Sequence, residues 1–395
     1  VLTFTSKKNY QPAVVGNIKN ISMGNQIFVA GFPLPSSAVP ISFLRFLKGD
    51  VIANANVAIP DGYQLLYSNP TLKGMSGGSV LDSQGNLVGI HGRAERDDQI
   101  SSSTGKTIAT RTNMAVPITY YQQLLSGEKI VAATTKATSA DDYLAKAKAL
   151  LNEGGKEKEV IRLANEALKI KESAISYHYR GFAKGALEDD MGAIQDYTKA
   201  IELDPEYVYA FYNRGLAKGA LEDYKGAIED YTKAIELDPK DPDAFNNRGL
   251  AKDNLEDYFG AIYDYTIAIE LDPKDAWSYR NRGDAKDSLE DYYGAIYDYT
   301  KAIEIDPKDS TNYNNRCWSK YKMEQYKSAL SDCNKALSLN SKDEYAYDSR
   351  GDVRFALGDK KGACDDYKNA IANGYKPRAK YLASEEGSWC RNMPD

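Results

Sequence analysis

The sequence predicts two architectures in one chain: an all-β barrel or sandwich at the N-terminus, followed by an all-α solenoid. Short apolar alternations broken by Gly, Pro, Asn and Ser recur over residues 1–116, the pattern of short strands joined by turns. Pro205, Pro239, Pro273 and Pro307 fall 34 residues apart, and repetition at that period marks a stacked array of helical units. At 395 residues the chain is also too long for one core.

The strand candidates, in order, are Gln26–Pro33, Ile41–Leu47, Val51–Ile59, Tyr63–Tyr67, Ser79–Asp82, Leu87–Gly92 and Thr107–Val116. Pro117–Leu125 (PITYYQQLL) has helical spacing and is expected to close the first domain, 1–125. Residues 126–140 (SGEKIVAATTKATSA) are small, polar and unpatterned, and are read as a linker.

The repeats begin beyond it. Val208–Asp241 reads VYAFYNRGLAKGALEDYKGAIEDYTKAIELDPKD, and Pro242–Asp275 and Ala276–Asp309 follow it closely. Ala174–Tyr207, Ser310–Asp343 and Glu344–Pro377 are looser copies, 141–173 is a degenerate first repeat, and 378–395 is expected to cap the stack. Each block fits two packed helices. Ala227, Tyr231 and Ala234 share one helix face. Gly215 and Ala227 are small enough for close approach, and Asp238-Pro239 stops the second helix, because proline restricts the residue before it and lacks a donor.

With small residues at positions eight and twenty and proline at thirty-two, the block resembles the tetratricopeptide repeat (TPR). It departs from the commonest form at two positions. The seventh is Arg (Arg180, Arg214, Arg248, Arg282, Arg316, Arg350) and the twenty-third is Asp (Asp196, Asp230, Asp264, Asp298, Asp332, Asp366). Equal counts at a fixed offset predict a structural Arg–Asp ladder rather than ligand-binding arginines. The resemblance implies a protein or peptide ligand along the first helices. The inner positions carried over are Tyr209, Tyr212, Asn213, Leu216, Asn246, Asn247, Trp277, Arg280, Asn281, Asp284, Asn314, Asn315 and Trp318. Aromatic rims and amides suit an extended backbone, and the column Asn213, Asn247, Asn281, Asn315 favours peptide binding over a merely solvated groove. Inner lysines for gripping a terminal carboxylate are not evident.

Residues 1–130 hold 11 Lys+Arg against 7 Asp+Glu, and the remainder 39 against 49, so the net −6 divides into +4 and −10. An acidic solenoid lacks the clustered cations that bind phosphate, which excludes nucleic acid. No apolar run is long enough to span a bilayer. No cofactor motif or zinc-spaced Cys/His cluster occurs. Cys317, Cys333, Cys364 and Cys390 are the cysteines. Buried thiols are the plain expectation, although Cys317 and Cys333 are spaced to meet across one helix pair.

The most pointed chemistry is Thr71–Glu95, TLKGMSGGSVLDSQGNLVGIHGRAE. A serine among glycines (Gly74-Met75-Ser76-Gly77-Gly78) ahead of a strand resembles the nucleophile turn of trypsin-like serine proteases, as do GNQIFVAGFP at 24–33 and Asn113–Pro117. Together these resemble the HtrA-like and cyanobacterial trypsin-like domains. The resemblance implies an incomplete trypsin-like barrel, with Ser76 as nucleophile and the N–H groups of Gly74 and Ser76 as the oxyanion hole. Met75 stands where trypsin has Asp, so activation by a new N-terminus is not expected. Gly89-Ile90-His91 and Thr71 resemble the S1 pocket of glutamyl endopeptidases, implying cleavage after Glu or Asp. The triad order in this fold is His, Asp, Ser, yet the histidines here are His91, after Ser76, and His178, inside a repeat. The expectation is therefore a truncated or nicked serine endopeptidase domain, its first barrel, with the His and Asp, lost, disordered or supplied as a separate companion N-terminal fragment, and this chain alone inactive; the alternative is a non-catalytic scaffold. The compartment is open, and family habit favours an extracytoplasmic one, periplasm or lumen.

Overall fold

The computed structural model describes the backbone of eight strands between Gln26 and Pro117, and residues 139–391. The expected closing helix beyond Pro117, over 118–125, and the linker up to residue 138 lie outside the described residues. Val1–Leu221 and Glu222–Asp395 form two compact units.

In the first unit, strands β1 (Gln26–Gly31), β2 (Arg45–Asn54), β3 (Leu65–Ser68), β4 (Ser79–Asp82), β5 (Leu87–Glu95) and β8 (Thr112–Pro117) close in the order β1-β2-β3-β8-β5-β4. Every pairing in this ring is antiparallel. The expected runs Ile41–Leu47 and Val51–Ile59 join into the single strand β2, which carries Gly49 and Asp50 in extended backbone opposite Ile27 and Gln26. The short β6 (Gln99–Ile100) and β7 (Thr107–Ile108) form a separate hairpin. The alternation did not predict β6.

The same unit contains helices α1 (Ala140–Glu153), α2 (Glu157–Ile170), α3 (Ala174–Ala186), α4 (Asp190–Leu203) and α5 (Val208–Ala220). Ser139 and Asp142 form a reciprocal capping box that starts α1. The core beneath is Leu144, Ala147, Val160, Leu163, Tyr179 and Phe182.

The second unit is α6 (Tyr224–Leu237), α7 (Pro242–Asp253), α8 (Tyr258–Leu271), α9 (Ala276–Ser288), α10 (Tyr292–Ile305), α11 (Ser310–Lys322), α12 (Tyr326–Leu339), α13 (Glu344–Ala356), α14 (Lys360–Ala372), α15 (Lys376–Ala383) and α16 (Ser388–Arg391). Helices pair as α7–α8, α9–α10, α11–α12 and α13–α14, and the first helices α7, α9, α11 and α13 also meet one another in turn. Each hairpin turns at position fifteen in the left-handed region. Glu256, Glu290 and Glu324 adopt φ of 58–61° there, and Gly358 adopts 84°. In three of these hairpins the next residue, Asp257, Asp291 or Asp359, caps the second helix through the N–H of Gly260, Gly294 or Gly362.

A second spacing rule fixes how closely the helices approach. Position eight is Gly and position twenty-four is Tyr in most repeats, and a Cβ at Gly283 would stand 2.7 Å from the Tyr299 ring. That ring is buried, so it has no room to yield. Gly283→Ala is expected to lose about 1–3 kcal/mol through overpacking, read as a lower urea midpoint at unchanged slope.

The Arg–Asp ladder forms in all five repeats that lie wholly within one unit. In each, Arg Nε and Nη2 make a fork on the Asp of the second helix, at 2.8–2.9 and 2.5–2.7 Å. The free Nη1 reaches back to the preceding repeat, at Asn165, Thr232, Thr266, Thr300 or Asn334. An aromatic ring three residues earlier covers each guanidinium, for example Phe245 over Arg248 at 5.5 Å. The arginines thus bind both the helices of a pair and successive pairs.

All four cysteines are disulfide-bonded, as Cys317–Cys333 and Cys364–Cys390. The plain expectation of free thiols is corrected. Cys317 and Cys333 occupy positions eight and twenty-four, so the bridge stands where the other repeats place the Gly–Tyr contact. Cys364–Cys390 ties α16 to α14. No helix among the described residues is long and apolar enough to cross a membrane.

Candidate functional site

Thr71, Gly74 and Ser76 lie outside the described residues. His91 sits on β5, its backbone paired opposite Ala115 of β8.

The expected groove residues are described, and their surroundings differ from one another. In the first unit, Asn213 is buried and its amide meets His178 Nε2 at 2.9 Å, while Tyr207 OH meets Nδ1 at 3.1 Å. An amide N–H donating to Nε2 places the ring proton on Nδ1, so Tyr207 accepts; this is the tautomer the network selects. Burial drops the imidazole to about 3, so His178 is a neutral packing peg. Tyr209 packs 6.4 Å from it, centroid to centroid, and Tyr212 is buried.

In the second unit, Asn246 is buried and donates to Ser278 Oγ (2.8 Å) and Asp275 (3.2 Å) of the next repeat. Asn247 donates to its own helix at the Asp243 carbonyl. Arg280 pairs with Asp309 at 2.7 Å. Trp277 is exposed, and Asn314 is half-buried. Trp318 packs against Tyr321, with Lys322 Nζ 4.9 Å above its ring. The asparagine column is therefore uniform in sequence and varied in its partners. Asn315 Nδ2 donates to Asp284 Oδ1 at 2.8 Å, whereas the buried Nδ2 of Asn281 has no partner among the described residues.

The contrast traces to position nine of the preceding repeat. Asp284 holds that position in the 276–309 block, where it accepts from both Tyr299 OH and Asn315 Nδ2, each at 2.8 Å. Asp352 does the same for Tyr367 OH, and for Arg378 of the cap. In the 242–275 block position nine is Leu250, and the Tyr265 hydroxyl, in a fully buried side chain, is left without a partner among the described residues. One turn on lies Asp253, whose buried Oδ1 also has none. Burial raises the carboxyls of Asp253 and Asp287, and it raises Asp284 to about 6 against the bonds from Tyr299 and Asn315 and the charge of Arg280. Reading the inner face from family positions found Asp284 and missed Asp253 and Tyr265; comparing position nine across the blocks would have exposed both.

Family models match the chain in separate segments: a trypsin-like peptidase domain at 1–90, TPR repeats at 182–221 and 220–252, and a tetratricopeptide repeat at 278–309. Among solved structures the chain is similar to a tetratricopeptide repeat protein from Parabacteroides merdae, at 19% identity and TM-score 0.49, covering 64% of this chain and 99% of that one. It is similar to YrrB, described as a TPR protein with an unusual peptide-binding site, at 24% identity and TM-score 0.42, covering 46% and 95%. MamA matches at 27% identity and TM-score 0.41, covering 43% and 92%. No curated protein matches the chain.

Proposed function

We propose that this chain carries the nucleophile-bearing part of a trypsin-like serine endopeptidase and a solenoid that recruits a peptide or protein substrate or regulator. The observation that carries this reading is that the peptidase match over 1–90 spans Gly74-Met75-Ser76-Gly77-Gly78, in a chain that also matches TPR repeats. Ser76 is the nucleophile, and the Gly74 and Ser76 N–H groups stabilise the oxyanion. His91 and Thr71 line the S1 pocket and hold an acidic P1 side chain. The general base must come from a companion segment carrying His and Asp, because His91 follows Ser76 and His178 is buried in a repeat. Two disulfides support an extracytoplasmic, oxidising compartment, since such bonds are rare in the cytosol.

A second reading is a non-catalytic scaffold. The TPR matches, which make no demand on Ser76, are what supports it. A fluorophosphonate probe separates the two, with intact mass, N-terminal sequencing and Ser76→Ala as control. The enzyme reading expects covalent labelling at Ser76 in the presence of the companion segment, none in Ser76→Ala, and preferential cleavage after Glu or Asp in a peptide library. No labelling with the companion present establishes the scaffold, and turnover without acidic P1 bias removes only the S1 assignment.

A further inference from the structure

The outer face of the second helices changes character over two repeats of the second unit. Positions eighteen and twenty-two stand one turn apart on that face. Four blocks have Met191/Gln195, Lys225/Glu229, Lys327/Ser331 and Lys361/Asp365 there, but α8 has Phe259/Tyr263 and α10 has Tyr293/Tyr297. Phe259 and Tyr293 are each 77% exposed, Tyr263 64% and Tyr297 56%. Ile267 extends the stripe where the neighbouring blocks have Lys233 and Lys301. The repeat does not need these rings, because the flanking repeats fold with exposed polar residues at the same positions. At 150–250 Å² per aromatic side chain, the four expose roughly 400–700 Å², as much as or more than the largest apolar patch a monomer usually shows.

We propose that this face joins two copies of the chain, back to back and antiparallel about a two-fold axis. Two such faces opposed remove roughly 800–1,400 Å² from water, which reaches the roughly 1,000 Å² at which specific interfaces begin. The flanking charges fit a second copy. With the axis midway between positions eighteen and twenty-two, eighteen of one copy meets twenty-two of the other. Phe259 lies on the partner's Tyr263, and Tyr293 on the partner's Tyr297. The same rotation sets Lys225 of α6 against the partner's Glu229, and Glu229 against the partner's Lys225. The rim is then self-complementary, as an isologous contact requires. The parallel alternative, with α8 over the partner's α10, sets Lys225 on the partner's Lys327, a like-charge contact. The first helices, which carry the groove, stay uncovered, so the dimer presents two grooves. The pairing is independent of the peptidase and peptide-binding readings.

The test is sedimentation equilibrium of the full chain over roughly 1–100 µM, the range suited to a small interface. Wild type is compared with Phe259→Lys/Tyr263→Glu/Tyr293→Lys/Tyr297→Ser, which installs the residues of the flanking blocks and is checked for an unchanged helical spectrum. Wild type is expected to reach twice the chain mass, and the variant to dissociate about tenfold or more readily. Lys225→Glu is expected to weaken the dimer severalfold, and Lys225→Glu/Glu229→Lys to restore it. A wild type that stays monomeric overturns the pairing and leaves the patch to a different protein or a lipid surface. A dimer that survives loss of the four rings places the contact elsewhere and overturns it too. A charge swap that fails to restore the dimer overturns the antiparallel arrangement.

Discussion

Asp264→Ala is expected to lose about 3–5 kcal/mol of local stability, the cost of removing one partner from a buried ion pair. Asp264 is fully buried, takes the Arg248 fork at 2.9 and 2.7 Å, and takes Lys252 at 2.8 Å. The two cations that remain are themselves only 14% and 19% exposed. Without Asp264 they are left in low dielectric with no counter-charge. By contrast Lys233–Glu236 is 57% and 56% exposed, and breaking such a solvated pair costs roughly 0.2–1 kcal/mol. Because each repeat contacts only its neighbours, the loss should be concentrated around α7 and α8. Amide exchange should show those helices opening first, while α13 and α14 keep their protection. Arg248→Ala should fall in the same direction and weaken any captured peptide less than it lowers stability. An unchanged melt for both variants would mean the ladder is decorative.

The helical architecture was legible because its causes are local. α6 ends at Leu237 and α8 at Leu271, each directly before an Asp-Pro step. The Arg–Asp ladder was legible for a related reason: two residue types at a fixed offset of 16 leave few geometries that pair them. What the sequence hid lies between repeats. Asn281 and Asn315 occupy the same position with the same side chain, yet one is an orphan donor and the other pairs with Asp284, because the deciding residue stands 31 positions upstream as Leu250 or Asp284. Periodicity averages over that difference. Likewise, Asn213 and Asn246 belong to an inner row by position, but His178 and Ser278 take up their amides in packing. The disulfides were half legible, since Cys317 and Cys333 share the spacing of the Gly–Tyr contact. Cys390 lies outside the repeat register, so nothing in the pattern paired it with Cys364.

The second large effect is expected at the Cys317–Cys333 bridge. It closes a loop of 16 residues between α11 and α12, and constraining an unfolded chain over that length stabilises the fold by about 3 kcal/mol in the loop-entropy model. The double variant Cys317→Ser/Cys333→Ser should lower the urea midpoint accordingly, and so should reduction of the wild type, provided Cys364–Cys390 is followed separately by mass. Loss of the cross-link is only part of the effect. Both residues are fully buried, and serine there leaves hydroxyls with poor partners and a space that the Tyr ring fills in the neighbouring repeats. The decisive comparison is therefore Cys317→Gly/Cys333→Phe, which installs the Gly–ring contact of the 276–309 block without a hydroxyl that Trp318, at position nine where that block has Asp284, could not accept. If the helix separation is set by the repeat and the bridge only locks it, this variant should recover the packing part of the loss and remain insensitive to reductant. If it is no more stable than the serine variant, the disulfide itself sets the approach of α11 and α12, and the Gly–ring contact is not interchangeable with it.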